Sequence, residues 1–477
     1  MTSEIDIAMK NVEKWVGNPI SRRMLKFVCK KDKCGNRLEN AIDSYTGLID
    51  KEKKLCWKCK IAGMMVSFVI NRGISSFGAS KEEVKRGLRE PVFKRGLMNV
   101  LEGIAAYGVT KPQIVNAPFL VVWDFTKLCN LKCKHCYENA GEKMKDELTT
   151  EEAKKLIDEM ADAGVVAIAF SGGEPLTRKD FFEVAKYAKD KGMYVSIATN
   201  GTLITKDIAK YLQYVVDYVE ISLDGKDAKT HDTFRGIPVF DKVIEGIKNS
   251  VAAGLYTCVA TTVTKYNYDQ IEDIYTLVKN LGVKRFICFN FIPTGKGVEI
   301  IDYDISPEER EKLLNFLFDK LEGDCAIEAL STAPQFARIA VEREKGVPVG
   351  HFYGGAGLEG RARALADFIG GCGAGRIYCS IEPNGDVQPC VFMPIKVGNV
   401  RKERFLDIWH NSPTLKTLRD RSLLKGHCAN CENKFICGGC RARAYAYFND
   451  ITAPDPGCIN NKDYWEKLKK KEKAEIV

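Results

Sequence analysis

The segment Cys129-Asn-Leu-Lys-Cys133-Lys-His-Cys136-Tyr137 decides the fold, and it follows the apolar, β-branched stretch from 121 to 125. Five more stretches of this kind alternate with helical patterns, at 166–170, 195–198, 218–223, 258–263 and 286–292. Buried parallel strands joined by helices form an open sheet or a barrel, and both present their chemistry at the carboxyl ends of the strands. The sequence therefore predicts an α/β core with the cysteine segment at such an end.

Three thiols in this segment suit an iron-sulfur cluster with an open position. A 4Fe-4S cluster normally takes four cysteines, so Cys129, Cys133 and Cys136 leave one iron free for an exogenous ligand, as a catalytic metal site does. The alternatives are a zinc site completed by His135 and a complete electron-transfer cluster. Neither alternative accounts for the glycine and acidic motifs at the later strand ends.

The cysteine segment resembles the signature of the radical S-adenosylmethionine superfamily, whose fold is a partial (β/α)6 TIM-like barrel. The resemblance implies that Cys129, Cys133 and Cys136 are catalytic and hold a 4Fe-4S cluster that cleaves S-adenosylmethionine reductively. The resulting 5'-deoxyadenosyl radical takes a hydrogen atom from the substrate, while the protein supplies orientation and electron delivery. A reductase, ferredoxin or flavodoxin is the expected electron donor.

The same resemblance assigns contacts to S-adenosylmethionine. Ser171-Gly-Gly-Glu174-Pro175 is similar to the superfamily's Gly-Gly-Glu motif, and small polar residues end the next two strands. The implied cofactor-binding residues are Tyr137, Gly172, Gly173, Glu174, Asn200, Ser222, Asp224 and Arg235. Asp224 could instead cap the turn that follows it, and Arg235 could instead form a surface salt bridge.

Eight cysteines follow residue 371, twice the number that one 4Fe-4S cluster takes. Gly385-x4-Cys390, then C-x2-C-x5-C-x2-C and a late cysteine, looks like the SPASM extension, although its last interval is one residue shorter than usual. The resemblance implies two auxiliary 4Fe-4S clusters. With the central cluster, the chain would hold three. The implied ligands are Cys372, Cys379, Cys390 and Cys440 for the nearer cluster, and Cys428, Cys431, Cys437 and Cys458 for the farther one. A pair of structural zinc sites is the alternative.

Four N-terminal cysteines form a third group: Cys29, Cys34, Cys56 and Cys59. Their C-x4-C and C-x2-C spacings resemble a zinc ribbon or rubredoxin-like knuckle, so one zinc ion is the default expectation. Mononuclear iron or a further cluster would suit the same spacing, and Cys29 or Cys34 could be unliganded. The remaining cysteines, Cys258, Cys288 and Cys325, are expected to be buried small hydrophobes.

Length and composition suggest several domains and no membrane span. We expect an N-terminal cysteine-rich metal-binding region (1–116), the core barrel (117–310), a helical and Gly-rich connection (311–371) and the auxiliary-cluster domain (372–477). The longest apolar run, 61–70, is about half the length of a spanning helix, and no secretory pattern is visible, so a cytoplasmic location is expected. Lys and Arg exceed Asp and Glu by nine along the whole chain, which favours no nucleic-acid partner.

The sequence thus predicts a radical S-adenosylmethionine enzyme, either an oxidoreductase or a bond-forming transferase or lyase. The approach Trp123-x2-Thr-x2-Cys-Asn-Leu131 looks most like the branch of the superfamily that acts in haem synthesis. Tetrapyrrole or cofactor biosynthesis and modification of a peptide or protein are therefore the two expected roles. A lipid or other hydrophobic substrate is an alternative, and a non-catalytic iron-sulfur or zinc scaffold is an alternative of another class.

Overall fold

The computed structural model describes residues 18–49, 54–77, 80–343 and 370–475. Residues 344–369 of the predicted connection, including most of its Gly-rich stretch, lie outside the described residues. Within the described ranges, no helix is long and apolar enough to cross a membrane.

The predicted α/β core with six parallel strands is confirmed, and a seventh strand extends it. The strands are β3 (Leu120–Thr126), β4 (Ala167–Gly172), β5 (Tyr194–Thr199), β6 (Tyr218–Ser222), β7 (Thr257–Val263), β8 (Arg285–Asn290) and β9 (Glu328–Ser331). Each pairs in parallel with the next along the chain. Their carboxyl ends therefore meet at one rim, where the cysteine segment follows β3.

Helices follow these strands as the sequence pattern predicts. They are α6 (Thr150–Ala163), α7 (Phe181–Asp190), α8 (Lys206–Val215), α9 (Ala228–Arg235), α10 (Phe240–Ala252), α11 (Ile271–Asn280) and α12 (Pro307–Gly323). Thr149 and Glu152 form the capping box that begins α6, and Gly164 ends that helix in the left-handed region at φ 89°.

The C-terminal part joins the same sheet. It contains β10 (Tyr378–Ile381), β11 (Asp386–Gln388), β12 (Gly398–Asn399), α13 (Gln335–Glu342), α14 (Phe405–Asn411), α15 (Pro413–Arg419), α16 (Gly426–Asn430), α17 (Arg441–Phe448) and α18 (Lys462–Glu475). Strand β10 pairs in parallel with β3, and β11 and β12 follow as antiparallel strands. The sheet order is β12-β11-β10-β3-β4-β5-β6-β7-β8-β9, an open arrangement whose end strands do not pair with each other. This arrangement fits a partial barrel.

The N-terminal part is a separate helical layer. It contains α1 (Pro19–Val28), α2 (Arg37–Thr46), α3 (Trp57–Phe77), α4 (Lys81–Arg89) and α5 (Pro91–Tyr107), with the antiparallel pair β1 (Lys31–Asp32) and β2 (Gly35–Asn36). Short 3-10 helices elsewhere cover Pro175–Thr177, Tyr268–Gln270, Gly295–Tyr303, Arg421–Leu423 and Ile459–Asn461.

Two apolar clusters support these parts. The larger one runs through the barrel and the C-terminal part, and its aromatic side chains Trp123, Phe125, Phe170 and Phe181 pack edge to face or stacked. The smaller cluster belongs to the N-terminal layer. Cys258 and Cys288 are buried as predicted, but Cys325 is exposed, so that expectation is wrong. Cys325 lies between α12 and β9, outside both clusters.

Candidate functional site

The three central cysteines lie on the loop after β3, and each sulfur accepts a hydrogen bond from nitrogen. The backbone N–H of Leu131 donates to the Sγ of Cys129 over 3.4 Å, and that of Ala140 donates to Cys136 over 3.3 Å. Arg235 Nη1 donates to the Sγ of Cys133 over 3.6 Å. Burial raises the pKa of the Cys129 thiol to about 11. These donors offset part of the cost of burying negative charge on the sulfurs.

Two glycines let the end of β4 approach this loop. A Cβ on Gly173 would lie 2.2 Å from the carbonyl oxygen of Leu128, and one on Gly172 would lie 2.6 Å from that of Thr126. Gly172 also has φ 110°, which side chains rarely adopt. The glycines therefore position the cysteine loop by close backbone packing.

Glu174 ties β4 to β5 through a fully buried carboxylate. It accepts hydrogen bonds from Thr199 Oγ1 over 2.9 Å, from the Asn200 N–H over 2.8 Å and from the Leu176 N–H over 3.1 Å. Burial raises the pKa of this carboxyl, while the backbone donors oppose the rise. Asn200 in turn donates from Nδ2 to Asn130 Oδ1 over 2.8 Å, inside the cysteine loop.

Asp224 and Arg235 form a buried ion pair beside Cys133. Arg235 Nη2 lies 2.6 Å from Asp224 Oδ2, and the Thr262 N–H donates to Asp224 Oδ1 over 2.8 Å. Neither alternative from the sequence applies, because Asp224 does not cap its turn through its side chain and the salt bridge of Arg235 is buried. The attraction of Asp224 and Cys133 raises the pKa of Arg235 against the effect of burial. Ser222 lies half-buried at the end of β6.

His135 contacts Phe234 and Asp224 and does not complete a zinc site with the cysteines. Its ring stacks on Phe234 with centroids 4.0 Å apart, and its Nε2 lies 3.6 Å from Asp224 Oδ2. Burial, with Arg235 nearby, lowers the pKa of His135 well below its usual value. The ring therefore packs against the Asp224–Arg235 pair as a neutral group.

Tyr137 connects the cysteine loop to the barrel interior. Its hydroxyl lies 2.8 Å from Ser171 Oγ and donates to Asp124 Oδ1 over 3.2 Å. Its ring meets Phe392 of the C-terminal part edge to face, with centroids 5.0 Å apart.

An acidic cluster that the sequence analysis missed lies next to Tyr137. Carboxylate oxygens of Asp124, Glu138 and Glu382 come within 4.8 Å of one another, and Lys127 Nζ lies 3.1 Å from Glu138. Burial and its acidic neighbours raise the pKa of Asp124 well above its usual value, and they raise that of Glu382 to about 7. Glu138 and Glu382 come from segments far apart in sequence, so no local motif marked this cluster.

The nearer auxiliary group contains three of its four predicted cysteines. Cys372, Cys390 and Cys440 line one cavity together with Tyr378, whose hydroxyl donates to Cys390 Sγ over 2.9 Å. Cys379 does not line this cavity, because alternate residues of a strand face opposite sides and Tyr378 takes the inner side. Cys379 is buried on the opposite face of β10, with Arg419 as its charged neighbour. The cavity thus brings together three of the four predicted ligands, and the role of Cys379 stays a prediction.

The farther auxiliary group contains all four predicted cysteines. Cys428, Cys431, Cys437 and Cys458 line a single cavity, to which Arg338 also contributes. The N–H of Gly439 donates to Cys437 Sγ over 3.3 Å, and Asn461 Nδ2 donates to Cys428 Sγ over 3.5 Å. Four thiols with nitrogen donors around them suit a fully ligated cluster.

Three of the four N-terminal cysteines lie together and Cys29 lies apart, as in the alternative that leaves Cys29 unliganded. The ligand atoms of Cys34, Cys56 and Cys59 lie within 4.8 Å of one another, and Asp32 completes this set in place of Cys29. Cys29 instead ends α1 and packs against the N-terminal apolar cluster. The sequence signal for Asp32 was weak, since a carboxylate between two cysteines is common on a surface hairpin.

The central thiols are spaced for a cluster rather than for one ion. Among the residues that the structure describes, the N-terminal set and the acidic cluster are the two groups of three or more potential ligands within 4.8 Å of one another. At least two of the sulfurs of Cys129, Cys133 and Cys136 therefore lie more than 4.8 Å apart, farther than neighbouring ligands of one tetrahedral zinc ion. A cubane distributes its thiolates over separate iron atoms, so this donor set fits one.

Comparison with known proteins identifies the same superfamily that the cysteine segment resembles. Residues 123–278 match the model of the radical SAM superfamily, and residues 372–432 match SPASM, an iron-sulfur cluster-binding domain. AdoMet-dependent heme synthase of Methanosarcina barkeri is 38% identical over 350 residues, which cover 72% of this chain and 97% of that protein. Mycofactocin maturase of Mycolicibacterium smegmatis is 32% identical over 355 residues, covering 72% of this chain and 83% of that protein.

A solved structure shares the fold. Streptococcus suis SuiB bound to its precursor peptide SuiA superposes with a TM-score of 0.63 at 18% identity, covering 88% of this chain and 92% of that chain. The motif after β3, the parallel sheet and the extent of the similarity agree, and the chain belongs to the radical S-adenosylmethionine superfamily as an enzyme with a SPASM iron-sulfur domain.

Proposed function

We propose that this enzyme modifies a tetrapyrrole in haem-type cofactor biosynthesis. The observation that carries the proposal is the 38% identity to AdoMet-dependent heme synthase across nearly that protein's whole length. The sequence Trp123-x2-Thr-x2-Cys-Asn-Leu131 at the barrel rim supports the same branch of the superfamily.

In this proposal the central loop holds the reactive group. Cys129, Cys133 and Cys136 would hold a 4Fe-4S cluster, which with S-adenosylmethionine would supply the radical chemistry that removes hydrogen from the substrate. Arg235 directs its charge at the sulfur of Cys133. A guanidinium here stabilises negative charge on the thiolates and is itself held by Asp224.

The strand ends next to this loop bind the methionyl and adenosyl parts of the cofactor. Backbone groups of Gly172, Gly173 and Glu174 lie closest to the loop, while Asn200 and Ser222 follow on the next strands. The carboxylate of Glu174 is already satisfied by three protein donors. We therefore propose that the Glu174 carboxylate holds the ends of β4 and β5 together. Backbone groups of Gly172, Gly173 and Glu174 would contact the cofactor at this point.

Cys372, Cys390 and Cys440 would hold a nearer auxiliary cluster, and Cys428, Cys431, Cys437 and Cys458 a farther one. Phe392 lines the nearer cavity and contacts Tyr137 at the central site. When bound, such clusters would supply electron transfer, and an acceptor close to the central site would favour an oxidative reaction. A ferredoxin, flavodoxin or reductase would supply electrons to the central cluster. We also propose a cytoplasmic location.

The test uses anaerobic, cluster-loaded protein with dithionite and S-adenosylmethionine. We expect 5'-deoxyadenosine to form faster when an iron porphyrin with propionate side chains is added, and the porphyrin to change mass. The Cys133→Ala variant should form neither product. If wild-type protein released no 5'-deoxyadenosine, the proposed enzymatic function would be contradicted. The result would favour a non-catalytic iron-sulfur or zinc scaffold.

Peptide modification is the second candidate. The observation in its favour is the 32% identity to mycofactocin maturase. In the same assay, release of 5'-deoxyadenosine that no porphyrin accelerates, together with a mass change in a peptide encoded next to the enzyme, would select this candidate.

The N-terminal metal, expected to be zinc or mononuclear iron, takes no part in this proposed reaction. Its cysteines lie in the N-terminal layer, whose apolar cluster is separate from that of the barrel.

A further inference from the structure

The N-terminal layer contains a compact set of four potential metal ligands, Asp32, Cys34, Cys56 and Cys59. Cys56 Sγ lies 3.6 Å from Cys59 Sγ and 3.6 Å from Asp32 Oδ2. Cys59 Sγ lies 3.9 Å from Asp32 Oδ1. All four ligand atoms lie within 4.8 Å of one another.

These separations decide how many metal ions the set can hold. Zinc takes sulfur at about 2.3 Å and carboxylate oxygen at about 2.1 Å in a tetrahedron, which places neighbouring ligand atoms roughly 3.6–3.8 Å apart. The 3.6 Å between the sulfurs of Cys56 and Cys59 agrees with that geometry, and each of these sulfurs lies 3.6–3.9 Å from one oxygen of Asp32. A cubane would need the thiolates spread over separate iron atoms, as in the central loop. The N-terminal set therefore fits one ion.

Neighbouring side chains hold the ligands in place. Arg37 Nε donates to Asp32 Oδ2 over 2.8 Å, and the Cys34 N–H donates to Asp32 Oδ1 over 2.9 Å. Asn40 Nδ2 donates to the carbonyl of Cys34 over 3.0 Å and reaches Cys59 Sγ at 3.7 Å. A carboxylate has about four acceptor positions, so Asp32 keeps capacity for an ion. Donors of this kind orient the ligands of metal sites and tune their affinity.

Charge also favours a divalent cation at this position. Bound to zinc, three thiolates and the Asp32 carboxylate would carry four negative charges, of which the divalent ion and Arg37 would offset three. Cys59 and Arg37 are buried and Asp32, Cys34 and Cys56 are half-buried, so water would screen part of the one remaining charge.

We propose that Asp32, Cys34, Cys56 and Cys59 bind one Zn²⁺ ion, with Cys29 outside the coordination shell. The four protein ligands close the site, which is typical of structural zinc. Asp32 and Cys34 belong to the β1–β2 hairpin, whereas Cys56 and Cys59 lie at the start of α3. The ion would therefore hold the start of α3 against the β1–β2 hairpin. This structural role is independent of the reaction proposed above.

The test measures metal content and coordination in full-length protein purified without oxygen. Elemental analysis should find one zinc per chain in addition to the iron of the clusters. The Cys34→Ala and Asp32→Ala variants should lose zinc to a competing chelator at least tenfold more readily than wild type. The matched control, Cys29→Ala, should keep its zinc and the wild-type affinity.

Cobalt substitution gives a second readout that does not depend on loss of the ion. Co²⁺ in place of zinc should show sulfur-to-metal charge transfer of three thiolates, and Asp32→Cys should raise that intensity by about one third while keeping the ion. An unchanged cobalt spectrum in Asp32→Cys, or loss of zinc from Cys29→Ala, would overturn the ligand set. Wild-type protein without zinc, or with iron-sulfur absorption that disappears in Cys34→Ala, would overturn the proposal of a single zinc ion.

Discussion

At the scale of single residues, the central site depends on one buried charge pair. Arg235 touches Cys133 on one side and Asp224 on the other, and both carboxylate and guanidinium are shielded from water. Removal of one partner leaves the other charged and buried, which is far more costly than loss of an exposed pair. Asp224 is therefore a positioning residue for the sulfur contact.

We predict that Asp224→Asn lowers the free energy of unfolding by about 3 kcal/mol, because the charge of Arg235 loses its partner. It should also shift the reduction potential of the central cluster, since the guanidinium is no longer held at Cys133. Anaerobic urea unfolding and a redox titration check both effects. The control is Asp273→Asn, which breaks the exposed pair with Lys226 and should change little. Equal effects of the two substitutions would contradict the assigned role.

Glu382 should make stability depend on pH. Burial and repulsion from Glu138 raise its pKa to about 7, whereas an unfolded chain ionises it near 4.5. Between these values the folded protein keeps a proton that the unfolded chain has lost, so the free energy of unfolding falls as the pH rises from about 4.5 to about 7. Anaerobic urea unfolding at several pH values in this window measures the fall. Glu382→Gln should flatten it, and exposed Glu403→Gln should not; parallel slopes in all three proteins would refute this prediction.

Sequence reasoning at this scale succeeded where the motif is local. The three central cysteines and the glycine pair stand together in the chain, so their spacing indicates their chemistry directly. The links of Asp224 to Arg235 and of Asp124 to Glu382 join distant segments, and only the folded sheet brings them together. Asp32 was missed for the same reason, because its ligand role depends on the hairpin that turns it toward α3.

At the scale of elements, the alternation of β10 decides which cysteines can meet a cluster. Tyr378 lines the cavity of the nearer auxiliary group, whereas Cys379 lies on the opposite face of the strand. The sequence could not show this, because the strand is short and its orientation is set by pairing with β3. The six longer strands of the barrel were predicted correctly, since their apolar runs recur regularly between helices.

We predict that Cys379→Ala leaves both auxiliary clusters intact, because this thiol points away from the cavity. Cys390→Ala should lower iron and acid-labile sulfide by the content of one cluster, since its sulfur lines the cavity with Cys372 and Cys440. Iron and sulfide analysis, with Mössbauer spectroscopy, measures both. Loss of a cluster from Cys379→Ala would show that this residue is a ligand, as its sequence position suggests.

The close contact between the end of β4 and the cysteine loop gives a further prediction. Gly173→Ala places a methyl group against the carbonyl of Leu128, so the loop must move and the central cluster should assemble poorly. The control lies in the same loop: a Cβ on Gly141 meets no atom within 4 Å, and Gly141→Ala should assemble normally. Iron content after anaerobic reconstitution distinguishes the two, and equal loading would show that the contact is unimportant.

At the scale of the whole molecule, the barrel and the C-terminal part share one apolar core. The proposed boundary at 371–372 separates the two by function, yet Phe392 of the C-terminal part touches Tyr137 of the barrel. Buried Arg443 of α17 likewise donates to Asn290 and to the carbonyl of Phe291 at the end of β8. The central site and the nearer auxiliary cavity are therefore parts of one interior.

We predict that Cys437→Ala separates cofactor cleavage from product formation. This residue lines the farther cavity, so its loss should leave 5'-deoxyadenosine release partly intact while product falls below detection. Simultaneous assay of both products by mass spectrometry checks the split. Normal product formation by a variant that has lost the farther cluster would mean that this cluster is dispensable.

The parallel pairing of β10 with β3 limits how this protein can be divided. A fragment that stopped before residue 370 would leave one edge of β3 unpaired, because β4 pairs only with the other edge, and unpaired strand edges promote aggregation. The two halves therefore cannot be exchanged between relatives as independent modules. Chimaeras that keep β3 and β10 from the same parent should be the ones that remain folded.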